Sequence, residues 1–268
     1  MSPMTTSGKS RWLKWTAIVV TVIVVAAVAV FVWYVWIRDT PDPLDEGDLD
    51  AALSQTTTTV VAEATPAPTE PAGETTTAPD TEAPATDAPG TDAPAGGAPW
   101  TVVSDASTVG YRVNEILFGA ETAAVGRTDQ VTGSLALDGT TLTAAEFTVD
   151  VASITSDEGR RDGQFRGSIM STDEFPTATF VLTAPVELGA EPVEGAEVTV
   201  MVAGDLTLRG ATNSVTFELT GKVTGGQIGV LGNIPVVFAD YGIANPSRPG
   251  ITTEDNGLLE FVLVFAPG

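Results

Sequence analysis

From Trp100 onward, apolar and polar side chains alternate with a period of two, and nothing else in the chain restricts its fold as tightly. In "EFTVDVASI", Phe147, Val149 and Val151 share one face, and Glu146, Thr148 and Asp150 share the other. "SVTFELTGKV" repeats the pattern, with Val215, Phe217 and Leu219 set against Thr216, Glu218 and Thr220. A strand sends successive side chains to opposite sides, so these runs predict strands with one buried face. Asp138-Gly139 and Gly225-Gly226 are dipeptides suited to tight hairpins. Eight strands are expected, at 107–117, 130–138, 141–152, 176–187, 196–208, 213–224, 227–238 and 257–266. The last contains "LLEFVLVF", apolar at nearly every position, which requires cover on both faces. Phe175-Pro176 suits the start of a strand, where a missing amide donor does least harm. Hairpin-length links without a helical crossover predict antiparallel pairing. Residues 100–268 are therefore expected to form an all-β barrel or sandwich, and a barrel of about eight strands can enclose one small ligand.

What precedes this domain is expected to stand apart from it. Trp15–Ile37 is a run of 23 residues without a charge. As a helix it would extend about 34 Å, against a hydrocarbon core of roughly 30 Å. Trp12 and Trp15 at one end, and Trp33, Tyr34 and Trp36 at the other, suit the two interfaces. Lys9, Arg11 and Lys14 precede the run, while Arg38 and then acids follow it. The expectation is a cytoplasmic tail (1–14), a transmembrane helix (15–37) and an extracytoplasmic remainder, making a single-pass protein of the cell membrane. A cleaved signal peptide is the alternative. The run exceeds the ~7–15 apolar residues of such a signal, and no clear A-x-A site closes it. Residues 38–99 are rich in Thr, Pro, Ala and acids, with 13 acids and no bases over 39–99. Such a composition buries too little to offset chain entropy and is expected to be a disordered linker. Its Thr-Pro clusters could also accept O-glycans.

Charge and missing residue types narrow the chemistry. With 35 acidic and 12 basic side chains the chain carries a net charge of −23, so phosphate backbones are repelled and no nucleic-acid partner is expected. The absence of Cys and His removes thiolate nucleophiles, the commonest metal ligand and the usual near-neutral proton shuttle. No nucleophile elbow, dinucleotide fingerprint, phosphate loop, zinc helix or calcium loop occurs. No enzymatic activity, metal or resident cofactor is expected.

"RRDGQFRG" (Arg160–Gly167) gathers three arginines in this acidic chain. Ser156 is an N-cap candidate, Asp157 and Glu158 would occupy the first turn of a short helix, and the arginines would fall toward its C-terminal end. A helix cap and an anion-binding site both satisfy that pattern.

The order Arg161-Asp162-Gly163-Gln164-Phe165-Arg166 followed by "DEFPTATF" (Asp173–Phe180) resembles the central signature of the YceI-like family. "YRVNEILFG", "GDLTLRGATNSVTFEL" and "FADYGIA" resemble its opening strand, its strand pair and its Asp-Phe-Gly-Ile-like motif. The resemblance covers nearly all of 100–268. It implies an extended, eight-stranded, lipocalin-like antiparallel barrel, exported or periplasmic, whose interior in some members carries a long isoprenoid chain. Gln164 stands where the family often has His, Glu115 lies near another such His, and Phe238 replaces a common basic residue. Those differences favour a neutral ligand, a prenol or a quinone, over a pyrophosphate.

The expected reading is thus a membrane-anchored lipid-binding module that holds or shuttles an isoprenoid-like lipid. Phe118, Phe147, Phe180, Phe217 and Phe261 are the candidate lining, and Arg161, Asp162, Arg166, Asp240 and Tyr241 the candidate mouth. For the phenylalanines the competing assignment is an ordinary filled core, which would make the domain a structural or interaction module without ligand. For the mouth set it is an internal ion-pair network. A homodimer is also expected as an assembly to test, and no protein partner can be read.

Overall fold

The computed structural model describes residues 8–33, 40–59 and 99–268. Among these residues three α-helices, α1 (Gly8–Val32), α2 (Glu46–Thr59) and α3 (Gly159–Gln164), accompany thirteen strands. In chain order these are β1 (Trp100–Val102), β2 (Thr108–Leu117), β3 (Ala120–Thr128), β4 (Val131–Asp138) and β5 (Thr141–Asp150). There follow β6 (Thr155–Ser156), β7 (Thr177–Leu182), β8 (Val186–Glu187) and β9 (Glu197–Leu208). The last are β10 (Ala211–Thr224), β11 (Gln227–Val237), β12 (Ile251–Thr253) and β13 (Asn256–Pro267).

Eight of them close an antiparallel barrel in the order β1-β4-β5-β7-β9-β10-β11-β13, with β13 returning to β1. Closure happens because β13 divides its second edge. Its C-terminal end pairs β1 (Val102 opposite Phe265), while its N-terminal half pairs β2 (Leu258 opposite Arg112). The hairpin β2–β3, with β6 and β12, therefore leaves the ring as a wing at one end. The strand expected at 107–117 is β2 on this wing, and the short β1 takes its place in the ring. The ring was expected to be eight strands and is, but β3 was not expected. The expected strand 176–187 divides into β7 and β8, because Pro185 lies between them and cannot donate to a ladder. Both expected hairpin dipeptides make tight turns, with Gly139, Gly225 and Gly226 at positive φ (57°, 62° and 74°).

The cover that β13 requires on its outer face comes from residues 40–59, inside the stretch expected as linker. Leu44, Leu49, Ala52 and Leu53 are buried against Val262 and Val264, with Leu231 and Ala106 alongside. A side chain at Gly229 would meet the Leu49 and Leu53 methyls at 2.6 and 2.9 Å, so the glycine sets how closely α2 can lie. Three buried leucines contribute roughly 2 kcal/mol each before ordering costs. Just upstream, Arg112 donates to the Pro41 carbonyl and Arg127 to that of Asp42, both at 2.8 Å, and the hydroxyls of Thr40 and Thr122 lie 3.0 Å apart. Both arginines also flank Glu260, 1 % exposed, at 2.8 and 3.5 Å. Residues 40–53 thus form a strap gripped by β2, β3, β11 and β13. Residues 60–98 lie outside the described set.

α1 presents its apolar side chains outward, with Ile18, Val22, Val25 and Phe31 all exposed. Among the described residues no helix is long and apolar enough to cross a membrane. The expected span 15–37 runs on through 34–37, which are outside them.

Candidate functional site

The barrel interior is divided. Phe147, Phe180, Phe217 and Phe261 form a closed quartet, with centroids 5.4 Å (147–180), 5.4 Å (180–217), 5.9 Å (217–261) and 5.3 Å (261–147) apart. None is more than 5 % exposed. The rings fit because the neighbouring strands carry glycine. A Cβ on Gly204 would lie 2.3 Å from the Phe180 ring, and one on Gly232 would lie 2.4 Å from that of Phe261. Past the quartet, toward the β4–β5 and β10–β11 turns, only about 90 Å³ remains.

On the other side, where the wing leaves the ring, lies a cavity of about 490 Å³. Alternation along β2 builds one wall, turning Val109, Tyr111, Val113, Glu115 and Leu117 inward. Val149, Ala178, Val236 and Leu259 supply the facing strands. On these strands Val149, Ala178 and Val236 are smaller than the rings of the quartet and leave space between the walls.

The rim is polar. Arg160, Arg161 and Gln164 come from α3, and Arg248 from the loop before β12. Arg248 donates to Gln164 Oε1 at 2.6 Å, joining helix and loop across the mouth. Arg161 donates to Asp157 at 2.6 Å and stands 3.7 Å from Glu115. Burial raises the Glu115 carboxyl above its ordinary value, and Arg161 and then Arg248 oppose that rise. Deeper in, Tyr111 stacks on Phe165 at 4.7 Å, and burial pushes its hydroxyl up to about 12. An apolar pocket with a few converging polar groups at one end suits an amphipathic molecule whose chain lies inside.

The candidate residues separate accordingly. The quartet surrounds the small cavity and does not line the large one. Phe118 is at the tip of the β2–β3 hairpin, 56 % exposed, with φ of 49°. Of the mouth set, Arg161 alone lines the cavity. Asp162 is buried and accepts the Ser156 amide at 2.9 Å and its hydroxyl at 2.6 Å. Ser156 is therefore tied to that carboxylate, and the N-cap position of α3 is held by Glu158, whose side chain makes no capping hydrogen bond. Arg166 reaches the Ile154 carbonyl at 3.5 Å. The Asp240 carbonyl accepts from Asn213 at 2.9 Å, and Tyr241 is core, its hydroxyl raised by burial. The residues of "RRDGQFRG" thus divide between two places. Asp162 and Arg166 fasten the loop, while Arg160 and Arg161 face the opening. Tyr111, Glu115 and Arg248 complete the site. The period-two pattern of "YRVNEIL" already put Tyr111 and Glu115 on one face with Val113, whereas nothing local marked Arg248.

Residues 100–265 match a family model described as the YceI-like domain. Among solved structures, the chain is similar to a polyisoprenoid binding domain from Saccharophagus degradans implicated in plant cell wall breakdown. The two share 19 % identity at a TM-score of 0.53, over 63 % of this chain and 98 % of that one. BcnA of Burkholderia cenocepacia is also similar, at 21 % identity and a TM-score of 0.47, over 61 % of this chain and 98 % of its own. A YceI protein of Campylobacter jejuni shares 13 % over 50 % of this chain and 80 % of its own, with a TM-score of 0.36. The first of these likenesses is one of fold. No curated protein matches.

Proposed function

Because the chain belongs to the YceI-like family, we propose that it is a membrane-anchored, extracytoplasmic lipid-binding protein that holds or shuttles an isoprenoid-like ligand of the prenol or quinone type. The observation that carries this reading is the cavity of about 490 Å³, apolar within and polar at one rim. Burial supplies the affinity. At about 0.8 kcal/mol per methylene, one five-carbon unit contributes roughly 3 kcal/mol, so a few units exceed the ordering cost of binding. A flexible apolar chain would lie along Val109, Val113, Val149 and Leu259, and its polar end would meet Arg161 and Arg248. The binding of polyisoprenoid stated for the Saccharophagus domain agrees in chemical class. The uncharged run 15–37 and the exposed apolar surface of α1 support the membrane anchor, and the bases before it support an outward-facing barrel. No step here needs a catalytic group.

The test is extraction. The full chain purified from membranes is denatured in organic solvent, and the organic phase is analysed by mass spectrometry. A stoichiometric isoprenoid is expected, as is saturable uptake of an added long-chain prenol or quinone. Finding neither would leave the barrel a structural or interaction module, the reading that the phenylalanine quartet alone would favour.

A further inference from the structure

We propose that the tip of the β2–β3 hairpin, Ile116 to Gly119, dips into the outer surface of the lipid bilayer and presents the mouth of the cavity to it. This rests on the membrane anchor proposed above. Ile116 and Phe118 are 45 % and 56 % exposed, while Leu117 between them lines the cavity. The apolar tip is therefore continuous with the apolar interior.

The tip is built, not frayed. Phe118 holds a φ of 49°, a left-handed conformation that a bulky residue adopts only when its surroundings impose it. Its amide donates to the Gly250 carbonyl at 2.8 Å, and its ring covers Gly250, where a Cβ would lie 2.4 Å from the ring. The fold thus spends a strained backbone and a glycine to hold an aromatic ring outward.

α1 indicates what the ring faces. Phe31 meets Phe118 edge-on with centroids 5.3 Å apart. Phe31 comes one residue before Val32, where α1 ends, so the tip meets the C-terminal end of that apolar helix. The strap keeps it there. Thr40, Pro41 and Asp42 are held by Thr122, Arg112 and Arg127 on this same hairpin. Only residues 33–39 separate that grip from α1, a reach of at most about 25 Å. Apolar burial, not charge, drives the contact, since the chain's net charge is −23 and anionic lipid would repel it.

The chain has no cysteine, so single reporters can be placed directly. Full chains carrying Phe118→Cys, Ile116→Cys or Glu191→Cys are labelled with a polarity-sensitive fluorophore and reconstituted into phosphatidylcholine vesicles. Glu191 is exposed at the opposite end of the barrel, beside Pro192 of the small cavity. Flotation with the vesicles is scored first, and its failure would refute the anchor itself. Among floating protein, labels at 116 and 118 are expected to shift to the blue and to be quenched at least severalfold more by nitroxide acyl chains than by aqueous iodide. The label at 191 should show the reverse. Iodide quenching at all three sites would overturn the tip proposal while leaving the anchor intact. A blue shift at 116 and 118 without acyl-chain quenching would also overturn it, since the tip would then face a second copy of the chain or another protein.

Discussion

One sheet encloses both halves of the barrel interior, yet one half is packed solid and the other is hollow. Toward the β4–β5 and β10–β11 turns, four phenylalanines meet over glycines and leave about 90 Å³. Toward the wing, strands that carry Val149, Ala178 and Val236 leave about 490 Å³, with Phe165 and Phe238 at its walls. Strand periodicity decides which side chains point inward, but their summed volume decides whether the inside is a core or a container. The quartet thus acts as a floor. It stabilises the ring and closes the large cavity off from the small one.

Removing the floor is the strongest way to break this contrast. Phe261→Ala deletes a ring with two aromatic neighbours and should cost about 3–5 kcal/mol in denaturant unfolding. It should also join the cavities and shift the preferred prenol to a longer chain, as read from competitive uptake. Next comes Gly204→Val, whose Cβ would stand 2.3 Å from the Phe180 ring. Overpacking of this kind should cost about 1–3 kcal/mol, with ligand uptake nearly unchanged because the large cavity is untouched. Filling the hollow half instead should reverse the two readouts. Ala178→Leu adds volume where space already exists, so stability should hold while prenol affinity falls about tenfold, near 1.4 kcal/mol. A drop in stability without a loss of uptake would show that Ala178 belongs to a core and not to a container.

The smallest effect concerns Glu115. Burial raises its carboxyl above 4.5, so the folded chain keeps this proton to a higher pH than the unfolded chain does. The folded state binds more protons in that interval, and its stability should fall as pH rises from 4.5 through the raised value. Glu115→Gln should flatten that part of a stability-against-pH curve. An unchanged slope would mean that Arg161 and Arg248 fully offset the burial.

How far the sequence reached follows from the range of its signals. Period-two alternation and the Asp138-Gly139 and Gly225-Gly226 turns identified most of the ring, because strands and hairpins are written locally. The apolar run 258–265 correctly required cover on both faces. What covers it was hidden, because α2 lies in a polar, Thr-rich setting and only Leu44, Leu49 and Leu53 reveal its buried side. The quartet was visible as inward phenylalanines, but whether such rings line a cavity or fill it depends on glycines on neighbouring strands. Arg248 reaches the rim through Gln164, 84 positions away, and no local pattern carries that information. Phe118 shares its parity with the exposed Ile116, not with the cavity-facing Tyr111, Val113, Glu115 and Leu117, and the strand ends just before it.

The strap also changes what a cut in the backbone would accomplish. The segment 60–98 leaves the barrel from α2, seated on β11 and β13, and rejoins it at Trp100 on β1. A protease acting within that segment would leave two polypeptides still clasped together, because the leucines of α2 remain in place. Shedding the barrel from α1 would require a second event, either prying α2 off or severing the chain before Thr40.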